Sequence, residues 1–217
     1  MATTTIYVAT HSDTAKEEDG SLSVAPTYLE IGDGDYMMSG LIIRAVPVPP
    51  GSALHAAVLG IVPYAGSDDP NLTIRGEIDP ADFAEVGYNL SDRTKTAAGA
   101  VWAAVDIYAG AGVYVSSPDV SAVVREIIGA TGWAEDDDIG FYLLDRGLGG
   151  YLAAYAWESG TAAPRLYLEW TPPQAFAFPG DYWPTGYWPE YWPDYGTATT
   201  GAAVAFMYYQ RMRRRGR

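Results

Sequence analysis

Two kinds of residue in this chain have the types and spacing to do chemistry: carboxylates gathered in short runs, and aromatics set at close intervals. Asp33-Gly34-Asp35 and Asp136-Asp137-Asp138 offer hard oxygen ligands in loop-like surroundings, and Ca²⁺, which takes about 6–8 such oxygens, is the metal they would suit. Neither run carries a full calcium-loop signature. The expected cofactor set is therefore none, with structural calcium the one metal to test. Paired carboxylates also serve glycoside hydrolysis, but 27 Asp and Glu among 217 residues leave no single pair with discriminating force. Solvation of an acidic surface accounts for them. His11 and His55 are the only histidines, and neither belongs to a metal-spaced cluster. The chain has no Cys, which removes disulfides, thiolate sites and Cys nucleophiles. No G-x-S-x-G elbow, P-loop or dinucleotide fingerprint occurs, so the chain is expected not to be an enzyme. Asn71-Leu72-Thr73 matches the glycosylation acceptor pattern, which without a secretory signal reads as a chance triplet.

The aromatics are more telling. Tyr182-Trp183-Pro184, Tyr187-Trp188-Pro189 and Tyr191-Trp192-Pro193 place three of the chain's seven Trp in one short stretch. Each Pro removes a backbone donor and pushes the Trp before it towards an extended conformation. A strip of this kind cannot build its own core and is shaped to lie on a partner, with the rings as anchors. Tyr182, Trp183, Tyr187, Trp188, Tyr191 and Trp192 are thus the predicted partner-binding residues. Arg211, Arg213, Arg214, Arg215 and Arg217 follow them at the C-terminal end. They suit packaged nucleic acid through a sequence-independent electrostatic contact, or an acidic neighbouring surface. The acidic body favours the second, because residues 1–170 carry 8 basic and 24 acidic side chains, a net of −16. The other four Trp, at positions 102, 133, 157 and 170, read as core or rim residues of a sandwich. A sugar platform would need their rings coplanar and exposed.

Behind these residues the chain alternates short apolar runs with turn chemistry. Ile6-Tyr7-Val8 reads as a short strand and Lys16-Glu17-Glu18-Asp19-Gly20 as a solvated turn. Strands are predicted over Leu41–Val48 and Ala53–Tyr64, either side of Pro49-Pro50-Gly51, over Leu72–Ile78, as one strand carried by Ala100–Trp102 and Val105–Tyr108, and over Ile139–Asp145, Tyr151–Trp157 and Arg165–Trp170. One helix is predicted, with Ser117 as N-cap, Pro118 at the first helical position and Gly129 as C-cap. Val120, Val123, Val124, Ile127 and Ile128 form its apolar face. The fold class is all-β: a jelly-roll β-sandwich over residues 1–170 with one short helix, followed by an extended Tyr/Trp/Pro-rich arm over 171–217. Met1-Ala2-Thr3-Thr4-Thr5 lacks the regions of a signal peptide, and no apolar run approaches the ~20 residues of a membrane span. Synthesis in a cytosol is expected.

Leu41-Ile42-Ile43-Arg44, the Pro49-Pro50-Gly51 turn and Ala57-Val58-Leu59 resemble the opening of a DNRLRE-type jelly-roll domain. Ser116-Ser117-Pro118-Asp119-Val120 with its helix, Gly132-Trp133, and Ala163-Pro164-Arg165-Leu166-Tyr167-Leu168-Glu169-Trp170 resemble variants of that domain in tailed-phage structural proteins. Ala45 stands where the family often has an aromatic. The resemblance implies a non-catalytic virion component (decoration, minor capsid or connector-type), held to other virion proteins or to further copies of itself through the arm. It also implies an alternative, since such domains are distantly similar to carbohydrate-binding modules: a host-adhesion module whose partner is a glycan.

Overall fold

The computed structural model describes residues 1–32, 38–67, 70–85, 89–103, 105, 112–157 and 162–173. Asp33-Gly34-Asp35, most of the Val105–Tyr108 part of the strand predicted from Ala100, and all eleven predicted partner-binding residues of the arm lie outside the described residues. The strands, in chain order, are β1 (Ala2–Tyr7), β2 (Thr14–Glu18), β3 (Ser21–Val24), β4 (Tyr28–Gly32), β5 (Met38–Ile43), β6 (Ala53–Ile61), β7 (Pro63–Ser67) and β8 (Leu72–Ile78). Then come β9 (Ala100–Trp102), β10 (Val115–Ser116), helix α1 (Ser121–Ile128), β11 (Ile139–Asp145), β12 (Tyr151–Tyr155) and β13 (Arg165–Thr171).

The strands form a four-stranded sheet β1-β13-β6-β10, a six-stranded sheet β3-β2-β5-β11-β8-β9 and a three-stranded sheet β4-β12-β7. Every strand pairing among the described residues is antiparallel. Period-2 alternation assigns the faces: β13 buries Leu166, Leu168 and Trp170 and turns Arg165, Tyr167 and Glu169 outward. Side chains from all three sheets and from α1 meet in one core, among them Leu59, Leu168, Phe141, Ile74, Leu29, Leu152 and Val124. The body is an all-β sandwich with one short helix.

The six-stranded sheet is buried on both faces, which is why Leu41-Ile42-Ile43 reads as an unbroken apolar run. Leu41 and Ile43 enter the main core, while Ile42 packs with Ala15, Tyr142, Phe83 and Leu90 on the other side. The last two come from the connection between β8 and β9. Glu17 ties that connection down: its carboxylate accepts from Leu90 N at 2.7 Å and from Ser91 N at 3.2 Å. Of the predicted solvated turn over Lys16–Gly20, only Asp19-Gly20 turns, with positive φ at both residues, between β2 and β3. Lys16 and Glu17 lie in β2, and Glu17 is 3% exposed because backbone donors replace its water.

Other boundaries moved for identifiable reasons. The strand predicted to reach Val48 ends at Ile43, because Ala45 takes a left-handed φ of 51° and its N–H donates to Asp138. The run predicted as Ala53–Tyr64 breaks at Val62, and Pro63 opens β7 as a strand-starting proline can. The helix begins at Ser121, three residues after Pro118. Ser117 does not cap it, since it exchanges hydrogen bonds with Leu59 and so extends the β10–β6 ladder. Asp119 accepts from Ser121 N at 2.9 Å instead. The apolar face is as predicted, and it settles on β8 at Gly76, where a Cβ would stand 2.6 Å from Ile127 Cδ1 and 2.8 Å from Val123 Cγ1. Strands β2, β3 and β4 were not predicted at all.

Candidate functional site

The outward face of the three-stranded sheet carries three tyrosines in mutual contact. On β4, Leu29 and Ile31 enter the core, so alternation turns Tyr28 and Glu30 the other way. On β12, Leu152 and Ala154 enter the core, leaving Tyr151, Ala153 and Tyr155 beside them. Register then sets Tyr155 opposite Tyr28 and Ala153 opposite Glu30. Tyr64 joins from β7 by a bulge: Ala153 pairs with Ala65 and Ala154 with Pro63, leaving Tyr64 as the extra residue. A bulge re-aims the side chain it frees.

Tyr28 and Tyr64 stack with ring centroids 4.4 Å apart and planes 16° apart. Tyr155 meets Tyr64 edge-on at 5.3 Å and Tyr28 at 5.9 Å. Offset and edge-to-face pairs of this kind are the favourable aromatic arrangements. Tyr64 stays 54% exposed, so part of its ring remains open to a ligand. A hydrogen bond with Tyr64 holds the Tyr28 phenol above its ordinary value, reinforced by partial desolvation and by the neighbouring phenols. The Tyr28 hydroxyl therefore stays protonated and able to donate.

Next along the sheet lies a polar group. Glu30 accepts from Tyr151 Oη at 2.8 Å and pairs with Lys16 of β2. Burial pushes the Glu30 carboxyl up, but the hydrogen bonds from Lys16 and Tyr151 outweigh it and hold the group below its ordinary value. Its backbone is held by a single hydroxyl, since Ser39 Oγ donates to Glu30 O at 2.9 Å and accepts from Glu30 N at 3.0 Å. The arrangement offers an apolar ring face, hydroxyls at its rim and a pre-oriented ion pair about 7 Å further along the strands.

The predicted candidates fall elsewhere. Trp102, Trp133 and Trp170 are core residues, 4%, 6% and 5% exposed, and Trp157 is partly buried with its indole N–H on Ala9 O. His55 shares a hydrogen bond with Thr171 Oγ1 at 2.8 Å. In the Asp136–Asp138 run, Asp137 accepts from Ala134 N, while Asp138 accepts from Arg44 and Ala45 N. Among the described residues no group of three or more His, Asp or Glu is placed to hold a metal ion, and no helix is long and apolar enough to cross a membrane. The tyrosine trio was missed because its members are scattered along the chain. The signal was there, in the alternation Tyr28-Leu29-Glu30-Ile31 and Tyr151-Leu152-Ala153-Ala154-Tyr155.

Fold and site together define an all-β sandwich with an aromatic, polar-rimmed outer face. No family model matches the chain, and no curated protein matches it. The DNRLRE-type resemblance thus finds no support beyond the β-sandwich it implied. Among solved structures the chain is similar to the X-ray crystal structure of a non-crystalline cellulose specific carbohydrate-binding module, CBM28. That likeness has a TM-score of 0.23 and 10% identity, covering 78% of this chain and 88% of that chain.

Proposed function

We propose that this chain is a non-enzymatic carbohydrate-binding protein that engages a glycan through Tyr28, Tyr64 and Tyr155. The contact of three rings on an outward sheet face, with Tyr64 half exposed beside the Glu30–Lys16–Tyr151 group, carries the reading. An aromatic face takes the apolar C–H face of a sugar, and a few placed polar groups fix its orientation by bonding the hydroxyls. Tyr64→Ala in the full-length chain is expected to weaken glycan binding about three- to tenfold, the size of one aromatic contact. Its melting temperature is expected to fall by only a few degrees, the loss of the two ring contacts, with the fold kept. A glycan array followed by titration of the best binder measures both variants. Unchanged affinity in Tyr64→Ala and in Tyr155→Ala would overturn the reading.

A second reading is carried by the sequence of the arm. The three Tyr-Trp-Pro triplets and the basic end beyond them suit attachment to a virion, with the body displayed as an adhesion module. Replacing Trp183, Trp188 and Trp192 by Ala is expected to abolish co-sedimentation with virus particles while leaving the body's melting unchanged. Wild-type incorporation of that variant would sink it.

A further inference from the structure

A second outward face, on the four-stranded sheet, holds a cation built into an aromatic stack. The Arg165 guanidinium lies 3.7 Å from the centre of the Tyr114 ring. Tyr114 is itself fixed, its hydroxyl donating to Ala163 O at 2.8 Å. Both side chains lie down on Gly60 of β6, the register partner of Arg165. A Cβ there would stand 3.0 Å from Arg165 Nε, 3.1 Å from its Cγ and 3.3 Å from Tyr114 Cδ1. Only glycine leaves room for the guanidinium to lie flat. On the other side of Arg165, Tyr7 of β1 is its register partner and is 47% exposed.

A guanidinium stacked flat on a ring keeps its N–H edge free, and that fork matches a carboxylate with two parallel hydrogen bonds. Among the described residues no carboxylate lies within ion-pair distance of Arg165, in contrast to Arg44 with three and Arg93 with one. The acidic side chain on the same face of β13 is Glu169, four residues along and about 13 Å away at strand rise, where it accepts from Tyr167 Oη at 3.4 Å. Among the described residues the cation is therefore pre-organised and without a carboxylate partner, in a chain whose formal net charge is −14. That overall charge repels polyanions such as nucleic acid. It leaves a mostly neutral molecule bearing a single carboxylate as the matching ligand, and the open Tyr7 ring beside the fork supplies a face for its apolar part.

We propose that this face binds a uronic acid residue of a glycan, the carboxylate on the Arg165 edge and the sugar ring against Tyr7. It is separate from the tyrosine trio and shares with it only the carbohydrate class. The test is NMR titration of the full-length chain with a glucuronate-terminated oligosaccharide, its methyl ester and acetate. The expected result is perturbation of Arg165 Nε–H and of the Tyr7 and Tyr114 rings by the free acid. Arg165→Gln should lose roughly tenfold to hundredfold in affinity, the worth of hydrogen bonds to a charged group. Arg165→Lys, which keeps the charge but not the fork, should fall between. About 1 M salt, where the screening length shrinks to about 3 Å, should weaken binding. Equal binding of the methyl ester, or an unchanged Arg165→Gln, overturns the proposal; equal perturbation by acetate overturns its sugar part. Tyr28, Tyr64 and Tyr155 report the other face independently, so either site can fail alone.

Discussion

At the scale of single residues, one guanidinium does the most to join distant parts of the chain. Arg44 sits at the end of β5 and donates to Asp13, Asp82 and Asp138, which come from three separate connections. Burial opposes its charge, but the three carboxylates win and push its pKa well above the ordinary arginine range. The three pairs are not equal. Asp82 is 71% exposed, and such a pair contributes about 0–1 kcal/mol. Asp13 is fully buried, so removing its cation leaves an uncompensated charge inside the protein, which costs about 3–5 kcal/mol. Arg44→Met is therefore expected to destabilise by about that amount in urea unfolding, while Asp82→Asn stays within about 1 kcal/mol. Similar losses in both variants would show that the clasp acts as a diffuse surface network. The sequence showed Arg44 within an apolar strand but not its partners, because Asp13 and Asp138 lie 31 and 94 positions away.

At the scale of elements, strands with strong alternation were readable and weakly apolar ones were not. Leu72–Ile78 and Ile139–Asp145 occupy the predicted ranges, since their side-chain pattern alone matches a half-buried or central strand. Strands β2 and β3 are rich in Lys, Glu and Ser, and they exist because β5 offers an edge to pair with, a tertiary cause no local pattern announces. The tyrosine site was hidden for the same reason: register across three strands, plus one bulge, assembles it. The helix was legible in its apolar face but not in its start, where Ser117 was claimed by the sheet. Its seat depends on a missing side chain. Gly76→Ala would push a methyl against Ile127 and Val123 and is expected to cost about 1–3 kcal/mol in thermal or urea unfolding. A neutral outcome would mean that the helix can slide on β8.

For the whole molecule, the acidic balance has a measurable cost. With 27 acidic and 13 basic side chains the chain repels itself. Raising salt from about 10 mM to about 0.1 M shortens the screening length from about 30 Å to about 10 Å, and the melting temperature is expected to rise. A fall would mean that exposed ion pairs contribute more than self-repulsion removes. All-β architecture with one helix was readable from composition, turn signals and strand count, and the core forms as those patterns require.

The ladder joining β1 to β13 sets a timetable for folding. Ala2 through Tyr7 pair with residues 165–170, and β13 also zips onto β6. The first strand made thus waits for nearly the last, roughly 10–30 s at ribosomal speeds of about 5–20 residues per second. Until then β6 has an open edge, and Thr3-Thr4-Thr5 keep the waiting strand polar enough to stay in water. Folding that must pair strands so far apart in sequence is slow. Nascent chains stalled before Arg165 should therefore be the form that chaperones hold.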